Sequence, residues 1–381
     1  MSTTSTPAST QAVIARRIRQ DVQSLHAYAI QDSAGMVKLD AMENPYSLPA
    51  ELQAALGQRL GALALNRYPA GRVNDLRRAL SDYVELPAGC DLMLGNGSDE
   101  LISLLALACD RPAAAGEARP AILAPVPGFV MYAMSAALQG MDFIGVPLTS
   151  EFALDVPAMV QAIETRQPAI VYLAYPNNPT ANLWDRADMV QIIAAAARAG
   201  SIVAVDEAYQ PFSSHSWLDE IRARPQDHGH VLLMRTLSKF GLAGVRLGYM
   251  VGPAALVAEV DKVRPPYNVS VLNCECALFA LEHQEVFAAQ AREICAQRAI
   301  LLEALGALDG IRAYPSDANM VLVRFEGEAD RAQKVFEGLK ARGILVKNIS
   351  KMHPLLANCL RLTVGTVEEN RAMLAALQET L

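Results

Sequence analysis

Short apolar runs alternate with helical patterns between about residue 90 and residue 270. The runs lack polar alternation, which is typical of strands buried on both faces of a parallel sheet. Strand, helix and strand at this spacing predict an α/β domain with right-handed crossovers. The predicted strands are residues 92–94, 121–126, 143–146, 169–174, 202–206 and 231–235, and the predicted helices are residues 98–109, 129–138, 156–165 and 188–199.

The pattern changes after residue 270, where an Ala-, Leu-, Glu- and Arg-rich stretch predicts one long helix ahead of a smaller α+β unit. The predicted elements there are a helix over 272–308, strands at 320–325, 344–347 and 359–364, a helix over 329–342, and a last helix that starts at Thr366. We expect three parts, which are a tail and arm (1–45) that packs with the small domain, a large domain (46–270) with a mostly parallel sheet in three layers, and a small α+β domain (271–381). The Ser- and Thr-rich residues 1–10 are predicted to be a disordered tail.

Composition narrows the class of protein. Of 381 residues, 52% are hydrophobic and 19% charged, which excludes a largely disordered chain. The net charge of −7 argues against an extended nucleic-acid surface. No apolar run reaches the roughly 18 residues of a membrane span, and no secretion signal is visible, so we expect a cytoplasmic protein. The six cysteines form no CxxC pair and the six histidines no HExxH motif, so we expect reduced thiols and no metal site.

Candidate chemistry follows the predicted strands, because ligands of open α/β sheets bind beyond the carboxyl ends of the strands. Residues 95–100 (GNGSDE) combine a glycine turn with the start of a helix, where Ser98 or Asp99 could form the cap and free N–H groups could bind a phosphate. A plain capped helix is the alternative. Residues 175–180 (YPNNPT) hold Asn178 between two prolines, although an ordinary turn would have the same composition.

Two charged residues complete the candidate site. Asp206 ends a buried strand, where a carboxylate is costly unless it is paired, and a cationic ring nitrogen would be a suitable partner. A helix-capping role is the alternative. Lys239 lies within residues 236–249 (TLSKFGLAGVRLGY), among hydroxyls, glycines and apolar residues, where a lowered pKa would make it a Schiff-base nucleophile. With Asn178 and Tyr209 for a phenolic oxygen, these segments supply all that pyridoxal phosphate needs.

The order of these motifs over residues 95–249 resembles the fold-type I pyridoxal-phosphate aminotransferases of class I and II. Within the group, the chain is most similar to the histidinol-phosphate aminotransferases, as the segments 39–46 (LDAMENPY), 66–69 (NRYP), 316–324 (SDANMVLVR) and 360–366 (LRLTVGT) indicate. The resemblance implies that the large domain binds the cofactor. It also implies a homodimer in which Tyr68 reaches the phosphate in the neighbouring subunit's site.

The resemblance also implies a role for each site residue. Lys239 would hold the cofactor covalently and then move the substrate proton, Asp206 would keep the pyridine nitrogen protonated, and Asn178 and Tyr209 would bind the phenolic oxygen. Phe129 would stack on the ring, Arg361 would bind the anionic end of the substrate, and Asn44 would contact the substrate. The residues implied to bind the cofactor phosphate are Ser98, Asp99, Thr236, Ser238 and Arg246.

The implied reaction is transamination between histidinol phosphate and 2-oxoglutarate, giving imidazole-acetol phosphate and glutamate in histidine biosynthesis. The cofactor motifs also fit an aminotransferase for aromatic or other amino acids, or a pyridoxal-phosphate decarboxylase of the same fold. A non-enzymatic regulator of this fold would need a DNA-binding domain. Only about 35 residues precede the matched region and the charge is negative, so we do not expect one.

Overall fold

A computed structural model describes residues 9–24, 31–69, 71–111 and 118–381. Residues 1–8 of the predicted tail lie outside the described residues. Ser9 caps the first helix, because its hydroxyl accepts a hydrogen bond from the backbone N–H of Ala12 at 3.2 Å.

The described residues contain thirteen strands and fourteen α-helices. The strands are β1 (Val37–Lys38), β2 (Cys90–Gly95), β3 (Ala121–Val126), β4 (Asp142–Pro147), β5 (Ile170–Ala174), β6 (Ile202–Asp206), β7 (Val231–Thr236), β8 (Gly248–Pro253), β9 (Ile311–Ala313), β10 (Met320–Phe325), β11 (Ile344–Leu345), β12 (Lys347–Asn348) and β13 (Cys359–Thr363). The α-helices are α1 (Thr10–Arg17), α2 (Gln20–Gln23), α3 (Ala50–Gly61), α4 (Arg72–Tyr83), α5 (Ser98–Cys109), α6 (Val130–Gln139), α7 (Val156–Arg166), α8 (Arg186–Ala199), α9 (Trp217–Ala223), α10 (Ala254–Asp261), α11 (Val271–Glu282), α12 (Gln284–Gly306), α13 (Arg331–Ala341) and α14 (Val367–Gln378).

The large sheet has seven strands in the order β2-β8-β7-β6-β5-β3-β4. All neighbouring pairs from β7 to β4 are parallel, whereas β8 is antiparallel to both β7 and β2. The prediction of an α/β fold with a mostly parallel sheet is confirmed. We did not predict β8, because Gly248, Gly252 and Pro253 weaken its strand pattern.

Both faces of the large sheet are covered by helices, as the alternating residues of β5 illustrate. Val171 and Leu173 lie in one buried cluster with residues of α7 and α8. Ile170 and Tyr172 lie in a second cluster with residues of α5, α6 and α10. All of these side chains are fully buried, so the strand has no polar face and its sequence is a continuous apolar run.

The residues after 270 build a second, antiparallel sheet in the order β12-β13-β10-β9. The prediction of one strand over 344–347 is wrong, because β11 pairs in parallel with β1 and β12 pairs with β13. The prediction of one helix over 272–308 is also wrong. The backbone of His283 leaves the helical region (φ −121°, ψ 33°), and its ring Nδ1–H donates to the carbonyl oxygen of Phe279 at 2.8 Å. The start of α14 at Thr366 is confirmed, with a capping box to Glu369.

The N-terminal segment contacts both parts of the chain. β1 pairs with β11, and the backbone N–H of Leu39 continues this pairing by donating to the carbonyl oxygen of Leu345 at 2.8 Å. Arg19 instead donates to carbonyl oxygens near the end of α6. The division into residues 1–45, 46–270 and 271–381 stays a prediction. None of the helices in the described ranges is both long and apolar enough to span a bilayer.

Candidate active site

The predicted site residues lie around one edge of the large sheet. Asp206 is the last residue of β6, Lys239 follows the end of β7, and Asn178 follows the end of β5. Because β5, β6 and β7 are neighbouring parallel strands, their carboxyl ends meet at the same edge. Arg361 joins them from β13 of the second sheet, since its guanidinium is hydrogen-bonded to Asn178.

The Asp206 carboxylate is buried, with 4% of the residue exposed. Its Oδ2 accepts a hydrogen bond from the Tyr132 hydroxyl at 2.7 Å, and its Oδ1 accepts one from the backbone N–H of Ala208 at 3.1 Å. Within the described part of the chain, no lysine, arginine or histidine forms an ion pair with it. Burial raises the pKa of Asp206 to about 6, against the effect of these two hydrogen bonds. This side chain is therefore a buried anion suited to a cationic ligand atom.

The Lys239 amine is held beside the N-terminal segment. Its Nζ donates to the carbonyl oxygen of Ala41 at 3.0 Å and lies 5.8 Å from the centre of the Tyr209 ring. Burial lowers the pKa of Lys239 to about 8, and the nearby positive charge of Arg361 acts in the same direction. A substantial fraction of the amine is thus neutral near physiological pH, as a nucleophile or base requires.

Arg361 and Asn178 are both buried and are directly bonded. The Arg361 Nη1 donates to Oδ1 of Asn178 at 2.8 Å, and its Nη2 donates to the carbonyl oxygen of Asp40 at 2.8 Å. The peptide bonds Tyr175–Pro176 and Asn178–Pro179 are both cis. Since Oδ1 of Asn178 already accepts from Arg361, its Nδ2 amide group is the part suited to donate to a ligand oxygen.

A candidate phosphate site lies at the start of α5. Gly97 occupies the N-cap with φ 85° and no side-chain cap bond, so the expectation that Ser98 or Asp99 forms the cap is wrong. Ser98 is the first helical residue, and Asp99 instead forms an ion pair with Arg246 at 3.2 Å. The helix N-terminus therefore keeps backbone N–H groups for an anion, with a guanidinium beside them.

Close packing and hydroxyl groups shape the same cradle. A Cβ at Gly97 would lie 2.9 Å from Nη2 of Arg246. The Thr236 hydroxyl donates to Oγ of Ser238 at 2.9 Å, and Nη1 of Arg246 donates to the same oxygen at 3.4 Å. A Cβ at Gly248 would lie 2.8 Å from the backbone nitrogen of Ser98. The predicted phosphate residues thus come together, with β8 packed against the helix start.

The remaining predicted residues occupy different surroundings. Tyr209 is 4% exposed, and burial raises its pKa above the ordinary value. Phe129 is half-buried and lies edge-on to Tyr132, with 5.7 Å between ring centres. Tyr68 is 74% exposed and stacks on Tyr267 at 4.3 Å.

Asn44 lies beside the lysine loop but is bonded within the protein. Its Nδ2 donates to Oε1 of Gln290 at 2.9 Å, and its Oδ1 accepts from the backbone N–H of Tyr46 at 2.9 Å. A Cβ at Gly241 would lie 3.0 Å from its Nδ2. The contact of Asn44 with substrate stays a prediction.

Three residues at the site were missed by the sequence analysis. Tyr132 bonds to Asp206, and a buried ion pair joins Glu207 to Arg235 at 2.9 Å. The Tyr132 signal was its spacing from Phe129, since residues three apart on a helix share a face. The signal for the ion pair was a charged residue directly after β6 and another one position before the end of β7, because β6 and β7 are neighbouring parallel strands.

Comparison with known proteins adds sequence relationships to this geometry. The profile of the family "Aminotransferase class I and II" matches residues 34–377. The chain is 68% identical to a histidinol-phosphate aminotransferase of Polaromonas naphthalenivorans over 364 residues, which cover 96% of each protein. It is 64% identical to one of Methylibium petroleiphilum, over 97% of this chain and 95% of the relative.

A solved structure supports the fold. The histidinol-phosphate aminotransferase of Sinorhizobium meliloti, in complex with pyridoxal-5'-phosphate, superposes with a TM-score of 0.80 over 96% of this chain and 97% of that chain. The two sequences are 22% identical, so this likeness concerns the fold alone.

Proposed function

Because this chain belongs to the aminotransferase class I and II family, we propose that it transfers the amino group of histidinol phosphate to 2-oxoglutarate. The products are imidazole-acetol phosphate and glutamate, and the reaction is a step of histidine biosynthesis. The substrate assignment is supported by relatives of that name at 63% to 68% identity over nearly the whole chain. The required cofactor is pyridoxal 5'-phosphate.

The observation that carries the proposal is a buried anion and a buried amine at one sheet edge. Asp206 lacks a cationic partner among the described residues, and Lys239 has a lowered pKa. A pyridinium nitrogen matches the first and an aldehyde matches the second. When bound, pyridoxal phosphate supplies an electron-withdrawing ring that stabilises negative charge at the α-carbon of the amino donor.

The chain's own groups can hold every part of that cofactor. Its phosphate fits the start of α5 with its backbone N–H groups, and Thr236, Ser238 and Arg246 add hydroxyl and guanidinium donors. Asn178 and Tyr209 can donate to the phenolic oxygen. Phe129 supplies an aromatic face close to Tyr132.

Lys239 and Arg361 act on the substrate. The Nζ of Lys239 is neutral often enough at pH 7 to accept the proton of the substrate α-carbon and to return it elsewhere. Arg361 is fixed by its bonds to Asn178 and to the Asp40 carbonyl. The fork of a planar guanidinium matches both phosphate and carboxylate, so one residue can receive histidinol phosphate and 2-oxoglutarate in turn.

We further propose a cytoplasmic homodimer in which Tyr68 reaches the cofactor phosphate of the partner. The support is that Tyr68 is 74% exposed in the single chain. Mixing an inactive Lys239→Ala chain with an inactive Tyr68→Ala chain tests this arrangement. Each mixed dimer has one intact site out of two, so it should regain about half of the activity of the unmodified dimer. No recovery, in samples where mixed dimers are demonstrated, would contradict the shared site.

Steady-state kinetics test the reaction and the substrate together. Glutamate formation from 2-oxoglutarate is measured with histidinol phosphate, phenylalanine, tyrosine and aspartate as amino donors. We expect histidinol phosphate to have the highest kcat/KM, Lys239→Ala to abolish turnover, and the exposed-lysine control Lys262→Ala to leave it unchanged. Equal or higher kcat/KM with phenylalanine or tyrosine would favour an aromatic aminotransferase. Release of carbon dioxide without glutamate would favour a decarboxylase.

A further inference from the structure

The hydroxyl of Tyr132 makes the one side-chain hydrogen bond to Asp206 among the described residues. Its O–H donates to Oδ2 at 2.7 Å, within the distance range of charge-assisted bonds. Tyr132 lies on α6, whereas Asp206 ends β6, so the bond joins a helix to the end of a strand. Tyr132 is 2% exposed, so water does not compete for this position.

The ring of Tyr132 is fixed as firmly as its hydroxyl. It stacks on Tyr172 of β5, with 4.2 Å between ring centres and 7° between ring planes. Phe129 packs against it edge-on. The hydroxyl of Tyr172 makes only a long contact of 3.5 Å, to the carbonyl oxygen of Ile102. Of the two stacked tyrosines, only Tyr132 donates to Asp206.

The other ionisable groups that face Asp206 do not stabilise its charge. Asp99 on α5 and Glu207, which directly follows β6, are acids that disfavour the carboxylate. The hydroxyls of Tyr172 and Tyr209 are neutral, since burial raises the pKa of both. The favourable contacts are thus the hydroxyl of Tyr132 and the backbone N–H of Ala208.

We propose that Tyr132 is a positioning residue, which holds the Asp206 carboxylate ionised and in one orientation for the ring nitrogen of the cofactor. This role rests on the proposed function, because it assumes a pyridine-containing ligand. Tyr132 itself touches neither substrate nor reacting atoms in this proposal. It acts through Asp206, as a donor whose bond is present before the ligand arrives.

The direction of the effect follows from the hydrogen bond. Donation to the ionised carboxylate stabilises the charged form, so removing the hydroxyl raises the pKa of Asp206 further above its ordinary value. As the pH falls, a ligand that needs the anionic carboxylate then begins to lose affinity at a higher pH than in the unmodified protein. At a pH well above that value the carboxylate is ionised with or without Tyr132, and most of the difference disappears.

The experiment compares Tyr132→Phe with Tyr172→Phe, which removes the same atom from the neighbouring stacked ring. The probe is pyridoxamine 5'-phosphate, which has no aldehyde, so covalent bonding to Lys239 does not enter. Its affinity for the full-length, cofactor-free protein is measured by calorimetry between about pH 5.5 and pH 8.5. For Tyr132→Phe we expect roughly tenfold weaker binding near pH 6 and an acid limb moved up by about one pH unit. Tyr172→Phe should superimpose on the unmodified protein.

Each outcome has a distinct meaning. The positioning role is overturned, and the proposed function left intact, by either of two results. In the first, the affinity of Tyr132→Phe depends on pH as in the unmodified protein; in the second, the acid limb moves equally in Tyr132→Phe and Tyr172→Phe. Failure of the unmodified protein to bind pyridoxamine 5'-phosphate would overturn both. Asp206→Asn supplies the reference, since its affinity should be low and without the acid limb.

A second variant protects the test against misfolding of Tyr132→Phe. Site-specific 3,5-difluorotyrosine at position 132 keeps the ring and the hydroxyl but makes the hydroxyl a stronger donor. Burial raises the pKa of Tyr132 well above its ordinary value, so the fluorinated hydroxyl should keep its proton in this pH range. We expect the acid limb to move to lower pH, opposite to the phenylalanine variant. Movement to higher pH would contradict the proposal.

Discussion

The amine of Lys239 should titrate far below an ordinary lysine in the cofactor-free protein. Its pKa is lowered from 10.5 to about 8, first by burial and then by the charge of Arg361. Near pH 7 this change leaves roughly 300 times more neutral amine, a difference of about 3 kcal/mol between the charged and neutral forms. The amine should therefore react with small electrophiles at a pH where most lysines do not.

Competitive labelling with acetic anhydride measures this titration. The modification of the Lys239 peptide is followed by mass spectrometry between about pH 6 and pH 11, and the same peptide in the unfolded chain is the reference. We expect a midpoint near pH 8 in the folded protein and near the usual lysine value of about 10.4 in the unfolded chain. A midpoint near 10 in both states would refute the reasoning.

Charge variants test the causes separately. Arg361→Gln removes a positive charge and should move the midpoint up, although not to 10.5, because burial remains the larger cause. Glu43→Gln removes a negative charge that favours the charged amine, so the midpoint should move down. Arg342→Gln, at a surface pair with Glu379, is the control and should leave it unchanged. If the titration midpoint moved in the same direction in Arg361→Gln and Glu43→Gln, packing and not charge would set the pKa of Lys239.

Two further predictions concern the framework of the site. Glu207→Gln leaves the buried guanidinium of Arg235 without its charge partner, so the free energy of unfolding, measured with denaturant, should fall by about 3–5 kcal/mol. The double variant Glu207→Gln with Arg235→Met should lose less of this free energy. An equal or larger loss in the double variant would contradict the ion-pair account. Gly248→Ala places a Cβ 2.8 Å from the backbone nitrogen of Ser98, so the affinity for pyridoxamine 5'-phosphate should fall by tenfold or more; Gly306→Ala, which has open space around it, should leave that affinity unchanged.

The residues at the carboxyl ends of the parallel strands could be predicted as site residues, because the sheet topology brings these strand ends together. Asp206, Asn178 and Lys239 each follow an apolar run, and parallel neighbours bring such positions together whatever the details of packing. The same logic could not place Tyr132. Its hydroxyl reaches Asp206 only because α6, which packs on β3 and β4, directs the Tyr132 ring across Tyr172 of β5.

Backbone conformation is a second property that the sequence did not predict. Arg246 has φ 55°, a conformation that a non-glycine residue adopts rarely, and this turn directs its side chain back over Gly97. Nothing in the sequence indicates that turn. The long helical pattern over 272–308 likewise hides the break at His283, because the sequences on both sides of it favour a helix.

The arrangement of charge explains how a protein of net charge −7 can bind phosphorylated anions. Arg246, Lys239 and Arg361 surround the site. The positive charges of Arg361 and Arg246 disfavour the protonated form of the Lys239 amine. The anion Asp206 is enclosed on the opposite, aromatic side by Tyr132 and, behind it, Tyr172. A ligand with a phosphate at one end and a basic ring nitrogen at the other can satisfy both groups in only one orientation. That polarity would direct its aldehyde to the Lys239 amine, so the charges that bind the cofactor would also select the carbon that reacts.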